Sequence, residues 1–162
     1  MSELKKAALA FLSNQNIAVV GVSSKGDTAA NFIYKKLRTS GYRVFPVNPN
    51  ADIVEGDKCY KSLTSLSGII DGVIIGTHPD VTPQIIRECA EINVGQVWIH
   101  RSIGQGSYHP AAIELAKELN ISLIPGGCPL MFNEPVDFGH KCLRWFLMRS
   151  KKEKTPIGFH LK

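Results

Sequence analysis

Five short apolar runs recur along the chain, and between them the spacing of apolar positions turns helical. Residues 17–20 (IAVV), 43–47 (RVFPV), 72–75 (GVII), 96–99 (QVWI) and 122–124 (SLI) read as buried strands. Ahead of the first, residues 1–14 place Leu4, Ala7, Ala8 and Phe11 on one side of a short amphipathic helix. After it, Phe32, Ile33, Tyr34 and Leu37 alternate with Lys35, Lys36 and Arg38, and Gly41 is a natural C-cap. Residues 81–92 gather Val81, Ile85, Ile86, Cys89 and Ala90 on one face. Residues 110–119 form the next helix, with Pro110 suited to its first turn. Residues 136–148 carry Val136, Leu143, Phe146 and Leu147 at helical intervals that should pack back on the sheet, and Trp98 and Trp145 read as core or helix-packing residues. The stretch 51–62 is polar, contains Gly56 and reads as a loop, followed by a single helical turn at 63–66.

Strands alternating with helices predict an α/β fold: a Rossmann-like, doubly wound parallel sheet of about five strands in the order 3-2-1-4-5, with helices on both faces. One domain, residues 1–162, is expected to account for the chain, with a helix at 1–14 and a basic tail at 149–162.

Charge and cysteine usage narrow the function. No apolar run is long enough to span a bilayer. Acidic and polar residues interrupt the apolar face of residues 1–14, which excludes a secretory signal, so a cytoplasmic protein is expected. Cys59, Cys89, Cys128 and Cys142 form no metal-finger spacing and are expected to be reduced thiols. Part of the net charge of +5 comes from Arg149, Lys151, Lys152 and Lys154, a run read as a solvated end. No stripe of arginines and aromatics suggests nucleic acid, and an anionic small ligand suffices to explain a mildly basic surface. An exposed apolar face on either terminal helix would be compatible with a homodimer.

The candidate chemistry lies where the strands end. Each finishes in a Gly, Pro, Ser or Asn cluster: Gly21-Val22-Ser23-Ser24-Lys25-Gly26, Asn48-Pro49-Asn50, Gly76-Thr77-His78-Pro79, Ser102-Ile103-Gly104-Gln105-Gly106 and Gly126-Gly127-Cys128-Pro129. Turns need such residues anyway. Five clusters on one edge, against plain loops on the other, favour a ligand site beyond the carboxyl ends of the strands. The first loop, between a strand and a helix N-terminus, has the form of a phosphate-binding corner. It reads Gly-x-Ser-x-x-Gly, without the middle glycine of a dinucleotide fingerprint. The second strand ends in Val47-Asn48-Pro49, without the acidic residue that would bind an adenosine ribose. Both departures count against NAD.

Taken together, the segments IAVVGVSS, YRVFPVNPN, GVIIGTHPD, VWIHRSIG and IPGGCP resemble the CoA-binding domain family, stand-alone Rossmann-like proteins related to the nucleotide-binding domain of the succinyl-CoA synthetase α subunit. The match runs over residues 17–131. The resemblance implies coenzyme A, or an acyl-CoA, as ligand. It sets Gly21, Val22, Ser23 and Ser24 against the phosphates, with Lys25 as a phosphate partner. It lays Val47, Asn48 and Pro49 along the adenosine, and Gly76, Thr77 and Pro79 along the pyrophosphate and the start of the pantetheine arm. Ile99, His100, Arg101, Ser102, Cys128 and Pro129 would line the rest.

The synthetases carry their ligase step on a phosphorylated histidine and a second domain, and no second domain is evident here. His78 and His100 lie at strand ends, but without a carboxylate partner that the sequence can place, so no catalytic residue is assigned. At Cys128 a thiolate of lowered pKa would form a mixed disulfide with CoA; the favoured alternative is a small buried residue in a tight turn. The expected function is therefore binding of CoA or an acyl-CoA without evident catalysis. An NAD(P)-binding oxidoreductase-like protein or a nucleotide-sensing regulator are the competing readings. A valine at Gly21 is expected to block the phosphates while leaving the fold intact.

Overall fold

The structure, a computed structural model, describes residues 2–149 and 156–158. Along the chain run helix α1 (Glu3–Leu12), strand β1 (Asn16–Val20), α2 (Ala29–Thr39), β2 (Arg43–Val47), the short strands β3 (Ile53–Val54) and β4 (Asp57–Lys58), β5 (Gly72–Ile75), α3 (Thr82–Glu91), β6 (Gln96–Ile99), α4 (Ala111–Glu118), β7 (Ser122–Ile124) and α5 (Phe138–Arg149). Short 3₁₀ turns occupy Leu63–Leu66, Pro79–Val81 and Pro129–Met131. All five apolar runs are strands of one parallel sheet, and the single turn expected at 63–66 is present. The expected loop at 51–62 instead contains the antiparallel β3–β4 hairpin, closed by Glu55 and Gly56, both at positive φ. The basic run beyond Arg149 lies outside the described residues.

Helices cover both faces of the sheet, as the Rossmann-like α/β class requires. Leu4, Phe11, Ile33 and Leu37 of α1 and α2 join Ile17, Ile74 and Trp98 in one core. Ile85, Ile86, Ala112 and Ala116 of α3 and α4 join Val73, Ile75 and Leu123 in the other. Ser2 caps α1 by accepting from the Lys5 N–H at 3.2 Å, and Thr28 caps α2 by accepting from the Asn31 N–H at 3.2 Å. Trp98 is completely buried, edge-on to Phe11 with centroids 5.5 Å apart. Trp145 is 52% exposed and Phe146 66%, so neither packs inward as expected; Leu143 and Leu147 meet the core instead.

The order of strands is β2-β1-β5-β6-β7. In order of appearance along the chain this is 2-1-3-4-5, so the third strand lies on the far side of the first and not beyond the second. Ala18, for instance, has Phe45 on one side and Val73 on the other. Local contacts at the entry of β5 account for this. Asp71 accepts hydrogen bonds from the Asn16 backbone and side chain at 3.0 and 2.9 Å, latching the start of β5 beside the start of β1. Gly72 follows, and a Cβ there would come within 3.0 Å of the Phe11 ring, so the glycine lets β5 enter beneath α1. The order in which strands are added therefore reverses between β1 and β5, which makes their carboxyl ends the topological switch point.

Candidate functional site

The loops that follow the five sheet strands are stitched to one another across the carboxyl edge. Gly21 donates to the Val47 carbonyl at 3.1 Å, and the Asn48 amide donates to the Val22 carbonyl at 2.6 Å, joining the loops after β1 and β2. The Ser107 hydroxyl donates to the Thr77 carbonyl at 2.7 Å, joining those after β5 and β6. Arg101 N–H donates to the Gly127 carbonyl at 3.0 Å, joining those after β6 and β7. Every segment singled out from sequence thus lies on this one edge.

At the switch point the loops after β1 and β5 touch through two glycines. Gly21 has φ +97°, and a Cβ on it would lie 2.6 Å from the Gly76 carbonyl oxygen and 2.9 Å from the Thr77 methyl group. A Cβ on Gly76 would lie 2.8 Å from Ala30 Cβ, so this glycine admits the first turn of α2 against β5. Gly21 therefore serves strand packing first. A valine there would strike backbone, and the expectation that such a variant keeps its fold is corrected.

The first loop is held by a residue that sequence reasoning missed. Asn31 is fully buried. Its Oδ1 accepts from the Ser23 N–H at 2.8 Å and the Thr28 hydroxyl at 2.6 Å, while its Nδ2 donates to the Ser23 carbonyl and to Glu55 Oε1, both at 2.8 Å. One amide thus clamps both ends of residues 23–28 and ties them to the β3–β4 hairpin. The signal was a polar residue three positions after the capping Thr28 and three before the buried Tyr34, on the inward side of α2. Glu55 also pairs with Lys35 at 3.5 Å, and the Asn31 hydrogen bond chiefly holds its carboxyl below the ordinary value.

The individual candidates differ in what they offer. Ser24 and Lys25 are exposed at the tip of the first loop, and the first turn of α2 carries no acidic residue, which suits an anion. Val22, Val47 and Ile99 have buried side chains, so their contribution to the edge is backbone. Asn48 spends its amide on Val22 and its Oδ1 on the Asn50 N–H at 2.8 Å, so it shapes the groove, while Pro49 beside it is exposed. Pro79 and Pro129 each open a 3₁₀ turn. Arg101 Nε donates to the Gly104 carbonyl at 2.6 Å and its guanidinium lies over the Tyr108 ring at 5.3 Å; Ser102 beside it is half-buried.

His78 is exposed, 3.5 Å from an equally exposed Asp80 carboxylate. His100 is buried, and burial followed by the charge of His140 pushes its imidazole down to about 4, so it is neutral at pH 7. Burial pushes the Cys128 thiol up to about 11, opposite to the thiolate that a mixed disulfide needs, and favours the packing role. Among the described residues no cluster of His, Cys, Asp or Glu has the makings of a metal site. No described helix is long and apolar enough to cross a membrane.

A separate open cleft of about 420 Å³ lies at the amino edge of the sheet, between Leu9, Leu12, Tyr42 and Phe132. Its lining holds Glu134 and no cation, so it is unsuited to a phosphate.

Residues 15–134 match the family model described as CoA binding domain. The uncharacterized protein YneT of Bacillus subtilis is 30% identical over 115 residues, 71% of this chain and 82% of that one. An ADP-forming acetate–CoA ligase of Methanocaldococcus jannaschii is 28% identical over 127 residues, 76% of this chain but only 18% of the ligase. Among solved structures, a hypothetical protein from Pyrococcus horikoshii superimposes with a TM-score of 0.73 at 26% identity, covering 84% of this chain and 92% of that one.

Proposed function

Since the chain belongs to the CoA binding domain family, we propose that the carboxyl edge of its sheet binds coenzyme A or an acyl-CoA and carries out no chemistry of its own. The observation that carries this reading is the clamped first loop at the β1/β5 switch point, with Lys25 at its tip and no acidic residue within the first turn of α2. The Gly21 and Ser23 N–H groups are spent on the Val47 carbonyl and Asn31 Oδ1, so the Val22 and Ser24 N–H groups and the Lys25 ammonium meet the phosphates. Pro49 lies along the adenosine, and Asn48 holds the loop that presents it. The pantetheine arm runs past Gly76, Thr77 and Pro79 toward His100, Arg101, Ser102 and the Cys128-Pro129 turn. A neutral, buried His100 fits a wall of this groove better than an acid or base, which supports a binding role. This chain spans 18% of the ADP-forming acetate–CoA ligase of Methanocaldococcus jannaschii, consistent with a module that holds the cofactor.

An NAD-type reading is disfavoured by Ser23 at the middle position of the fingerprint and by the absence of an acidic residue after β2, where Asn48 is already engaged. Titration calorimetry with CoA, acetyl-CoA, NAD and NADP under reducing conditions separates the two. Binding of CoA or acetyl-CoA without the dinucleotides is expected. Binding of NAD alone would overturn the proposal.

A further inference from the structure

Helix α5 brings a third histidine to the carboxyl edge, one that the strand-end loops do not supply. The helix packs on the 3₁₀ turn at Pro129–Met131, and Arg144 donates to the Met131 carbonyl at 3.0 Å. Leu143 and Leu147 lean on the core. His140 lies one turn before Arg144, so it shares the side of α5 that faces this turn, and its side chain is 28% exposed. Its Nδ1 lies 2.5 Å from Asp137 Oδ2, and its backbone N–H donates to Asp137 Oδ1 at 3.0 Å. One carboxylate thus caps the helix and fixes the imidazole ring.

Two further groups meet this pair. Beyond the effect of burial, the Asp137 carboxylate helps to hold the Cys128 thiol up, and the charge of His140 helps to hold the His100 imidazole down. Asp137 and His140 therefore stand beside the residues at which the proposed course of the pantetheine arm ends. His100 is only 8% exposed, yet no described residue hydrogen-bonds its ring. A buried imidazole without such a partner points to a polar group that a ligand brings.

The hydrogen bonds from His140, the backbone one first, keep the Asp137 carboxyl below its ordinary value, so the carboxylate accepts and Nδ1 donates. In the neutral ring Nε2 is then bare and can only accept. Free CoA ends in an S–H donor, whereas a thioester ends in a sulfur and a carbonyl oxygen that can only accept. We propose that Nε2 of His140 accepts a hydrogen bond from the thiol of bound CoA, and that the site thereby holds the free cofactor in preference to its thioesters. This preference presupposes that CoA binds as proposed above, and it narrows which form of the cofactor is bound. No covalent bond is made or broken: the proton stays on sulfur and points at nitrogen. An S-acyl group sets the Nε2 lone pair against a second acceptor and forfeits the contact.

Calorimetry of the full chain at pH 8 under reducing conditions, with CoA, S-methyl-CoA and acetyl-CoA, tests this. The wild type is expected to bind CoA about tenfold more tightly than either capped form, the scale of one lost hydrogen bond. S-methyl-CoA keeps the sulfur and adds little bulk, so it separates the missing hydrogen from the size of the acetyl group. His140→Leu is expected to bind all three within about twofold of one another. In Asp137→Asn the amide oxygen still caps α5, while the amide N–H group faces Nδ1 and turns Nε2 into a donor. The preference for CoA is expected to vanish or reverse there. Far-UV circular dichroism should be unchanged in both variants, since neither side chain is in the core. Equal binding of the three by the wild type, or a preference for CoA that survives in either variant, would overturn the proposal and leave CoA binding in place. Binding of none of them would overturn CoA binding itself, and the preference with it.

Discussion

Adding a single methyl group at Gly21 tests whether the switch point is as tight as the geometry implies. Two costs arise in Gly21→Ala. A side chain at φ +97° carries backbone strain of about 1–2 kcal/mol. The new Cβ must also find room 2.6 Å from the Gly76 oxygen and 2.7 Å from its carbonyl carbon. Both neighbours are backbone of the adjacent strand, so relief requires β1 and β5 to part at their carboxyl ends, an overpacking cost of about 1–3 kcal/mol. The sum, about 2–5 kcal/mol, is a large share of a typical folding stability. With a urea m-value of about 2 kcal/mol/M, the unfolding midpoint should fall by about 1–2.5 M. Gly41→Ala supplies the control: φ there is +91°, but nothing lies within 4 Å of the added methyl, so only the strain is incurred. If Gly21→Ala costs no more than Gly41→Ala in parallel urea titrations, the close approach of the two loops is wrong, and with it the account of why this corner needs glycine.

Replacing Asn31 with Leu keeps its size but removes its four side-chain hydrogen bonds, three to Ser23 and Thr28 and one to Glu55, and so releases the loop at 23–28. CoA affinity by calorimetry should fall at least about tenfold in protein that is still folded; unchanged affinity would refute the clamp. His100 binds its proton at about 4 in the fold and near its ordinary 6.5 when unfolded, so its contribution to stability is full above pH 6.5 and is lost as pH falls toward 4. A loss of about 3 kcal/mol is expected across that window, measured by urea unfolding at stepped pH and flattened in His100→Gln; an equally steep fall in the variant would exclude His100 as its source. Finally, iodoacetamide at pH 8 should label the exposed Cys142 quickly and Cys128 slowly in the native protein, read by peptide mass spectrometry. Equal rates would contradict the buried thiol.

The five sheet strands were legible because buried parallel strands must be apolar on both faces, and runs such as IAVV and GVII have few other uses. Their order was not. It depends on which edge of β1 receives β5, and the Asp71 latch to Asn16 that decides this is indistinguishable in sequence from an ordinary turn aspartate. The hairpin at Ile53–Val54 and Asp57–Lys58 escaped notice because two-residue strands carry no period. On α5 the helical spacing was legible, but both faces are apolar, so nothing in the pattern told Leu143 and Leu147 from Trp145 and Phe146.

The strand-end clusters show most sharply what sequence can and cannot separate. A glycine that a ligand needs and a glycine that the fold needs look the same in sequence, and here the structure divides them. Gly21, Gly76 and Gly106 are each required by packing: a Cβ on Gly106 would lie 2.6 Å from the His100 carbonyl oxygen. These three glycines therefore need no ligand to explain them. Gly26 is different. A Cβ there would meet nothing nearer than Glu55 Oε1 at 4.0 Å, yet the residue sits at φ +74° in the loop that Asn31 clamps. Its N–H donates to the Ser23 carbonyl at 3.2 Å and Asp27 follows at φ +60°, so the turn itself accounts for a glycine there. The case for an anion at this corner thus rests on the exposed Lys25 and the first turn of α2, and much less on the count of glycines along the edge.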